Sequence, residues 1–166
     1  MQPMKYPVSL QPTTTETMTL LSGRSVSFHK ATPTFPIWRG DPVDDDYNGK
    51  TILDFAGRPA FAELAILWTL QNDGWQGFWV DTYRHLFRTG YWDSEPHKSL
   101  PQRPSSLPEE IWNLAKTPSG VWDVFCWQGD RVLFAESKQA RKDSIRQSQL
   151  GFAESALNIG LPLDCR

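Results

Sequence analysis

The sequence has few cysteines and lacks a long apolar run. Two cysteines among 166 residues, Cys126 and Cys165, exclude a disulfide framework and are too few for a structural zinc site. No apolar run approaches the ~20 residues that cross a bilayer, so we expect no membrane partner. Residues 1–17 lack a basic region followed by an apolar one, so we expect no signal peptide. A reducing cytoplasm is therefore the expected location.

The chain also has little net charge. The formal charge is −2, with 39% hydrophobic and 22% charged residues, which is typical of a globular domain with its own core. So small a charge argues against a protein that coats nucleic acid without specificity. Between residues 131 and 146, however, basic residues outnumber acidic ones, and this local excess could hold a phosphate backbone. The alternative is a solvated surface of average charge.

Hydrophobic patterning divides the chain into an extension and a domain. Residues 1–55 are rich in threonine and proline and predict an N-terminal extension, with a short hairpin around "GRSVSFHKA". Residues 56–166 predict one α/β domain in the order helix, strand, insertion, strand, strand, helix. The insertion covers about 82–118 and contains many prolines, so we expect it to leave the core.

Capping signals predict the helix ends. The stretch "RPAFAELAILWTLQNDG" is apolar on nearly all sides and predicts a buried helix, with Pro59 in its first turn and Gly74 just past its end. Ser106 and Glu109 have the spacing of a capping box and predict a second helix. Asp143 is a candidate N-cap for a last, amphipathic helix. The tail "LPLDCR" could add one short strand.

The stretch "VWDVFCWQGDRVLFAESKQ" places charges in what otherwise predicts two apolar strands around a tight turn. With a two-residue turn at Gly129-Asp130, Asp123 lies opposite Glu136, with Cβ atoms ~5 Å apart. Lys138 shares their face because side chains alternate with period two. The other face carries apolar residues, and helices should cover both sides of the sheet. The residues predicted on that other face are Trp122, Val124, Cys126, Leu133 and Ala135.

Two carboxylates at opposed positions need a cation. They repel each other, and an ionised group buried without a partner costs ~3–5 kcal/mol. Mg²⁺ removes the conflict, since it takes oxygen ligands and keeps other positions for water and a substrate phosphate. The pattern therefore predicts a metal and phosphate site. A buried structural ion network among Asp123, Glu136 and Lys138 is the alternative.

These residues carry a family resemblance. Asp123, followed thirteen residues later by Glu136-Ser137-Lys138, resembles the PD-(D/E)XK nuclease signature, and the flanking sequence is similar to its VRR-NUC branch. The resemblance covers about 60–166. It implies a restriction-endonuclease-like core, with a mixed central β-sheet flanked by helices. It also implies a Mg²⁺- or Mn²⁺-dependent endonuclease that hydrolyses phosphodiester bonds in DNA, with branched or flap DNA as a candidate substrate. Trp122 stands where the family frequently has proline.

The resemblance extends the candidate site beyond the hairpin. Gln149 matches the family's helix glutamine. It is the polar interruption of an otherwise apolar stripe of the last helix, so we expect it to converge with Lys138 on one pocket. Glu63 occupies the place of an acidic residue on the first core helix. Candidate catalytic residues are Asp123, Glu136, Lys138 and Gln149. Candidate metal ligands are Asp123, Glu136 and Glu63. Candidate substrate-binding residues are Arg141, Lys142 and Arg146. DNA is the expected partner, and a homodimer is left open.

Several residues have simpler structural interpretations. Gln149 could bond backbone carbonyls beside the core, and Glu63 could extend to solvent. Asp81 is expected in a turn, and the acidic run at 44–46 in a solvated loop. The basic residues of the insertion are expected at the rim of the site, where they would bind DNA. They are Arg84, Arg88, Lys98 and Arg103.

Two other functions compete with the nuclease. One is a non-catalytic DNA-binding protein that keeps the PD-(D/E)XK fold. The other is a carbohydrate- or partner-binding module that uses exposed aromatic residues, since the chain has eight tryptophans. Most of these tryptophans lie in apolar segments, which favours core packing.

Overall fold

A computed structural model describes residues 5–46, 48–91, 93–98, 102–115, 120–139 and 143–161. Within them, a short 3₁₀ helix is followed by eight β-strands and three α-helices. The strands are β1 (Thr14–Thr19), β2 (Ser25–Lys30), β3 (Leu53–Phe55), β4 (Arg58–Ala60), β5 (Gln76–Asp81), β6 (Leu86–Arg88), β7 (Val124–Gln128) and β8 (Arg131–Ala135). The helices are α1 (Ala62–Asn72), α2 (Leu107–Ala115) and α3 (Gln147–Asn158). The strand predicted in the tail falls on residues 161–166, of which only Leu161 lies within these ranges.

The central sheet has four strands in the order β6-β5-β7-β8. Each neighbouring pair is antiparallel. The chain is therefore α/β, but the described part of the sheet is antiparallel rather than mixed as predicted. Hairpin turns join β5 to β6 and β7 to β8, whereas a parallel neighbour needs a long crossover connection.

Apolar layers cover both faces of the sheet, as the hairpin pattern predicts. On one face, α1 packs Leu64 and Leu67 into a cluster that includes Val124 and Cys126 of β7. On the other face, Phe125 shares a cluster with residues of α2, α3 and the β1–β2 hairpin. Because both faces are covered, β5 is buried from Gly77 to Asp81.

The N-terminal region and the insertion both contribute to this core. The predicted hairpin is present as β1 and β2, and it buries Val26 and Phe28 in the cluster around Phe125. Within the insertion, β6 pairs with β5, and α2 buries Ile111 and Trp112. The prediction that the insertion leaves the core is therefore wrong.

The first helix begins later than predicted. Pro59 lies in β4 rather than in the first turn of α1, which starts at Ala62. Ala56 and Gly57 have φ values of 51° and 81°, so a tight turn folds β4 back on β3. Gly74 has a φ of 83° and follows the end of α1, as predicted.

The last helix begins at Gln147, and Asp143 is not its cap. The Asp143 carboxylate accepts the N–H of Gln139 at 3.4 Å. The start of α3 is stabilised instead by Gln149, whose Oε1 accepts the N–H of Arg146 at 2.8 Å. The three described helices lack the combination of length and apolarity that a membrane-spanning segment requires.

Candidate functional site

The β7–β8 hairpin has the predicted register. Gly129 takes a φ of 59° in a two-residue turn, so Gln128 pairs with Arg131. At the other end of the ladder, Val124 pairs with Ala135. Asp123 and Glu136 are thus the next opposed positions, directly beyond the strand ends rather than inside the strands as predicted.

The two carboxylates cross between the strands. Oε2 of Glu136 accepts the backbone N–H of Asp123 at 3.2 Å. Oδ2 of Asp123 accepts the backbone N–H of Ser137 at 2.8 Å. The carbonyl of Asp123 also accepts the N–H of Val80 at 2.7 Å, which ties this position to β5. The carboxylates are cross-strand neighbours, which confirms the predicted juxtaposition.

Glu136 is the point at which Lys138 and Gln149 meet. Its Oε1 accepts a hydrogen bond from Nζ of Lys138 at 2.6 Å. The same oxygen accepts a hydrogen bond from Nε2 of Gln149. Gln149 is 7% exposed, and its backbone carbonyl accepts a hydrogen bond from the indole N–H of Trp122 at 3.1 Å. The predicted convergence of Lys138 and Gln149 is confirmed.

The structure overturns the predicted placement of Trp122. It packs in the cluster of Phe125, on the α3 side, and not with Val124 on the α1 side. The alternation of side chains starts only at Val124, where β7 begins, so it does not extend back to Trp122. The indole consequently anchors α3, the helix that carries Gln149.

Glu63 lies in the first turn of α1 and does not extend to solvent. Its side chain is 11% exposed and forms an ion pair with Nζ of Lys50. Sequence reasoning missed Lys50, which comes from the region interpreted as an extension. The turn signal Asn48-Gly49 precedes it, but nothing in the sequence links that turn to α1. Asp46 closes the turn by accepting the N–H of Gly49 at 2.9 Å.

The charges of Glu136 and Glu63 both act on Asp123. Burial, together with these two charges, raises the pKa of Asp123 to about 8, against the Ser137 hydrogen bond and the charge of Lys50. Burial also raises the pKa of Glu136, against its contacts with Lys138, Asp123 and Gln149. The cluster therefore has more carboxylates than nearby ammonium groups, and Asp123 retains a proton at neutral pH.

The donor chemistry of this cluster suits a hard divalent cation. Carboxylate oxygens are the protein ligands of Mg²⁺, and a cation would take the place of the proton on Asp123. Among the described residues, no three His, Cys, Asp or Glu side chains are already grouped around one point. Glu63, Asp123 and Glu136 are therefore candidate ligands by their chemistry, although their described positions do not surround one point.

The predicted substrate-binding residues are only partly located. Arg146 is exposed and directly precedes α3. Arg141 and Lys142 lie outside the described residues. In the insertion, Arg88 is 5% exposed and binds the Asp81 carboxylate at 3.2 Å, so the prediction that it binds DNA is wrong.

The other insertion cations are largely engaged in ion pairs. Arg84 also binds Asp81, whose other oxygen accepts the N–H of Arg84, the turn role predicted for this aspartate. Arg103 binds Glu110 at 2.8 Å. Lys98 is exposed. These pairs make the insertion a stabilised part of the core layer rather than an open basic surface.

The tryptophans of the described ranges pack against other parts of the protein. Those within the described ranges are buried or half-buried, and none is exposed. Trp75, Trp79, Trp112 and Trp122 are buried, while Trp38, Trp68 and Trp127 are half-buried. This agrees with the core role that their apolar segments predict.

Comparison with known proteins gives no match. No family model, no curated protein and no solved structure matches the chain. The resemblance to PD-(D/E)XK nucleases thus stays a prediction from the motif, and the function has to be argued from the site itself.

Proposed function

We propose that the protein is a Mg²⁺- or Mn²⁺-dependent endonuclease that hydrolyses phosphodiester bonds in DNA. The observation that carries this proposal is the convergence of Asp123, Glu136, Lys138 and Gln149 at one end of the β7–β8 hairpin. Their carboxylates are in electrostatic excess, which is the condition for attracting a divalent cation.

Each residue has a role that its contacts support. Asp123 and Glu136 would hold the metal, and the backbone N–H groups that they accept keep both carboxylates oriented. Gln149 fixes Oε1 of Glu136 from the α3 side and is a positioning residue. The Nζ of Lys138 lies 2.6 Å from the same oxygen. In this position its ammonium group could also donate a hydrogen bond to a phosphoryl oxygen.

A bound Mg²⁺ or Mn²⁺ would lower the pKa of a water and stabilise charge on the phosphate. Lys138 would orient that water. The side chain of Glu136 is only 5% exposed, so bulk solvent would be largely excluded from its carboxylate. The exposed Arg146, together with Arg141 and Lys142 in the adjacent sequence, would hold the DNA backbone.

Cleavage of plasmid and branched oligonucleotides tests the proposal directly. The wild type should cut in Mg²⁺ or Mn²⁺ and not in EDTA, and Glu136→Gln should abolish cutting. Glu16→Gln is the matched control, because Glu16 forms an exposed ion pair with Lys30 in the β1–β2 hairpin. Metal-independent cutting, or full activity in Glu136→Gln, would contradict the proposal.

A structural ion network is the second candidate, and one observation favours it. Each carboxylate accepts a backbone N–H of the other strand, so the pair also closes the end of the β7–β8 ladder. In that case the protein would bind no divalent cation at this site. DNA binding without cleavage would instead support the non-catalytic alternative. The buried tryptophans count against an aromatic binding module.

A further inference from the structure

Lys50 is held against the carboxylate cluster by several independent contacts. Its Nζ forms an ion pair with Oε1 of Glu63, and it lies 5.4 Å from the centre of the Phe61 ring. Its backbone N–H bonds the carbonyl of Asp46 at 2.9 Å. Only 33% of the Lys50 side chain and 11% of the Glu63 side chain are exposed, so the pair is partly desolvated.

The ion pair places the ammonium group of Lys50 on Glu63, which is one of the carboxylates that the proposed metal would use. The cluster holds three carboxylates against two ammonium groups, those of Lys50 and Lys138. Lys138 belongs to the motif, but Lys50 comes from a different part of the chain.

We infer that Lys50 is a built-in cation that occupies the carboxylate cluster of the metal-free protein and competes with the divalent metal for Glu63. This inference rests on the proposed function. It assigns to the N-terminal region an autoinhibitory contact with the site. A metal at Glu63 and Asp123 would displace the ammonium group of Lys50, which would then be available to a bound phosphate.

The competition follows from linkage between two cations at one cluster. An ammonium group and a divalent metal repel each other, so each lowers the affinity of the carboxylates for the other. Without metal, the ammonium group of Lys50 neutralises the charge of Glu63. With metal, the same ammonium group raises the concentration of metal needed to fill the site.

Titration calorimetry with Mn²⁺ tests this competition. Lys50→Met keeps the apolar stem and removes the charge, so it should bind Mn²⁺ about tenfold more tightly than the wild type, which corresponds to ~1.4 kcal/mol. Lys30→Met is the matched control, because Lys30 pairs with Glu16 on the exposed hairpin. It should leave the Mn²⁺ affinity unchanged. Lys50→Gln should reproduce the tightening, and it replaces Lys50→Met if that variant does not fold.

The outcomes separate the inference from the proposed function. Tighter Mn²⁺ binding by the Lys50 variants alone supports the competition. Equal or weaker binding by these variants, while the wild type binds Mn²⁺, overturns the inference and leaves the metal site intact. If neither the wild type nor a Lys50 variant binds Mn²⁺, both the metal site and the inference are overturned.

Discussion

Two groups of charged side chains lie at the ends of neighbouring strands of the central sheet, and their charge balance differs. Asp81 ends β5 and binds two guanidinium groups, those of Arg84 and Arg88. Asp123, joined to the same strand through the N–H of Val80, has Glu136 and Glu63 as its charged carboxylate neighbours. The first group is closed by cations from the protein, whereas the second has more carboxyl groups than ammonium groups and holds a proton.

This difference distinguishes a carboxylate that the protein itself compensates from one that a bound cation could compensate. Burial alone does not distinguish them, since the side chains of Asp81 and Glu136 are 0% and 5% exposed. A carboxylate between two arginines has its compensation already in place. A group of carboxylates that keeps a proton at neutral pH has room for a further cation.

Breaking the closed group should have the largest effect on stability. Asp81→Asn leaves the buried Arg88 without its anionic partner and should destabilise the protein by ~3–5 kcal/mol, with or without Mn²⁺. Urea unfolding measures the loss. Glu16→Gln, in an exposed pair, should cost no more than ~1 kcal/mol. Equal losses in the two variants would remove the distinction between closed and exposed pairs.

The free energy of unfolding should depend on pH differently in the wild type and in Asp123→Asn. The pKa of Asp123 is about 8 in the folded protein against 3.8 ordinarily. Between these values the folded state keeps a proton that the unfolded state has lost, so the free energy of unfolding falls as pH rises and levels off above pH 8. From pH 6 to pH 8, Asp123→Asn should gain up to ~2.7 kcal/mol relative to the wild type.

Urea unfolding in EDTA at pH 6, 7 and 8 provides that measurement. The wild type and the variant differ only at residue 123, so the difference between their free energies reports the ionisation of Asp123 together with its interaction with Glu136. A constant difference across this range would mean that Asp123 ionises normally in the folded protein, which would contradict its raised pKa.

Gln149→Ala should have the smallest effect of the three. The change removes the acceptor for the N–H of Arg146 and the hydrogen bond to Glu136, and it should destabilise the protein by ~1–2 kcal/mol in EDTA. Gln149→Glu keeps an acceptor for Arg146 but adds charge beside Glu136. Thermal melts should therefore show Mn²⁺ stabilising Gln149→Glu more than Gln149→Ala. Equal shifts would separate Gln149 from the metal site.

Local patterns predicted the hairpin and its polar contacts well. The two-residue turn sets the register, so Asp123 and Glu136 had to lie opposite each other once Gly129-Asp130 formed the turn. The polar Gln149 on an apolar helix stripe likewise indicated an inward side chain. Such features depend on spacings of a few residues along the chain.

Features that depend on distant parts of the chain were not predictable in this way. Lys50 reaches Glu63 because the β3–β4 hairpin folds between them, and no spacing encodes that contact. From the sequence, Arg88 was predicted to bind substrate because it lies in a proline-rich insertion. In the structure, the pairing of β6 with β5 places it beside Asp81. Gln149, rather than Asp143, stabilises the start of α3 for a similar reason. Trp122 and Glu136 bond Gln149, and these contacts between distant parts of the chain hold the helix in place.

If the carboxylates around Asp123 bind a divalent metal, thermal melts of the wild type and Asp123→Asn should respond differently to Mn²⁺. In EDTA the variant should be at least as stable as the wild type, because the substitution relieves repulsion. Mn²⁺ at a hundredfold excess over its dissociation constant should stabilise the wild type by ~2.7 kcal/mol and the variant hardly at all. A variant that melts far below the wild type in EDTA, with no shift by Mn²⁺ in either protein, would contradict the account.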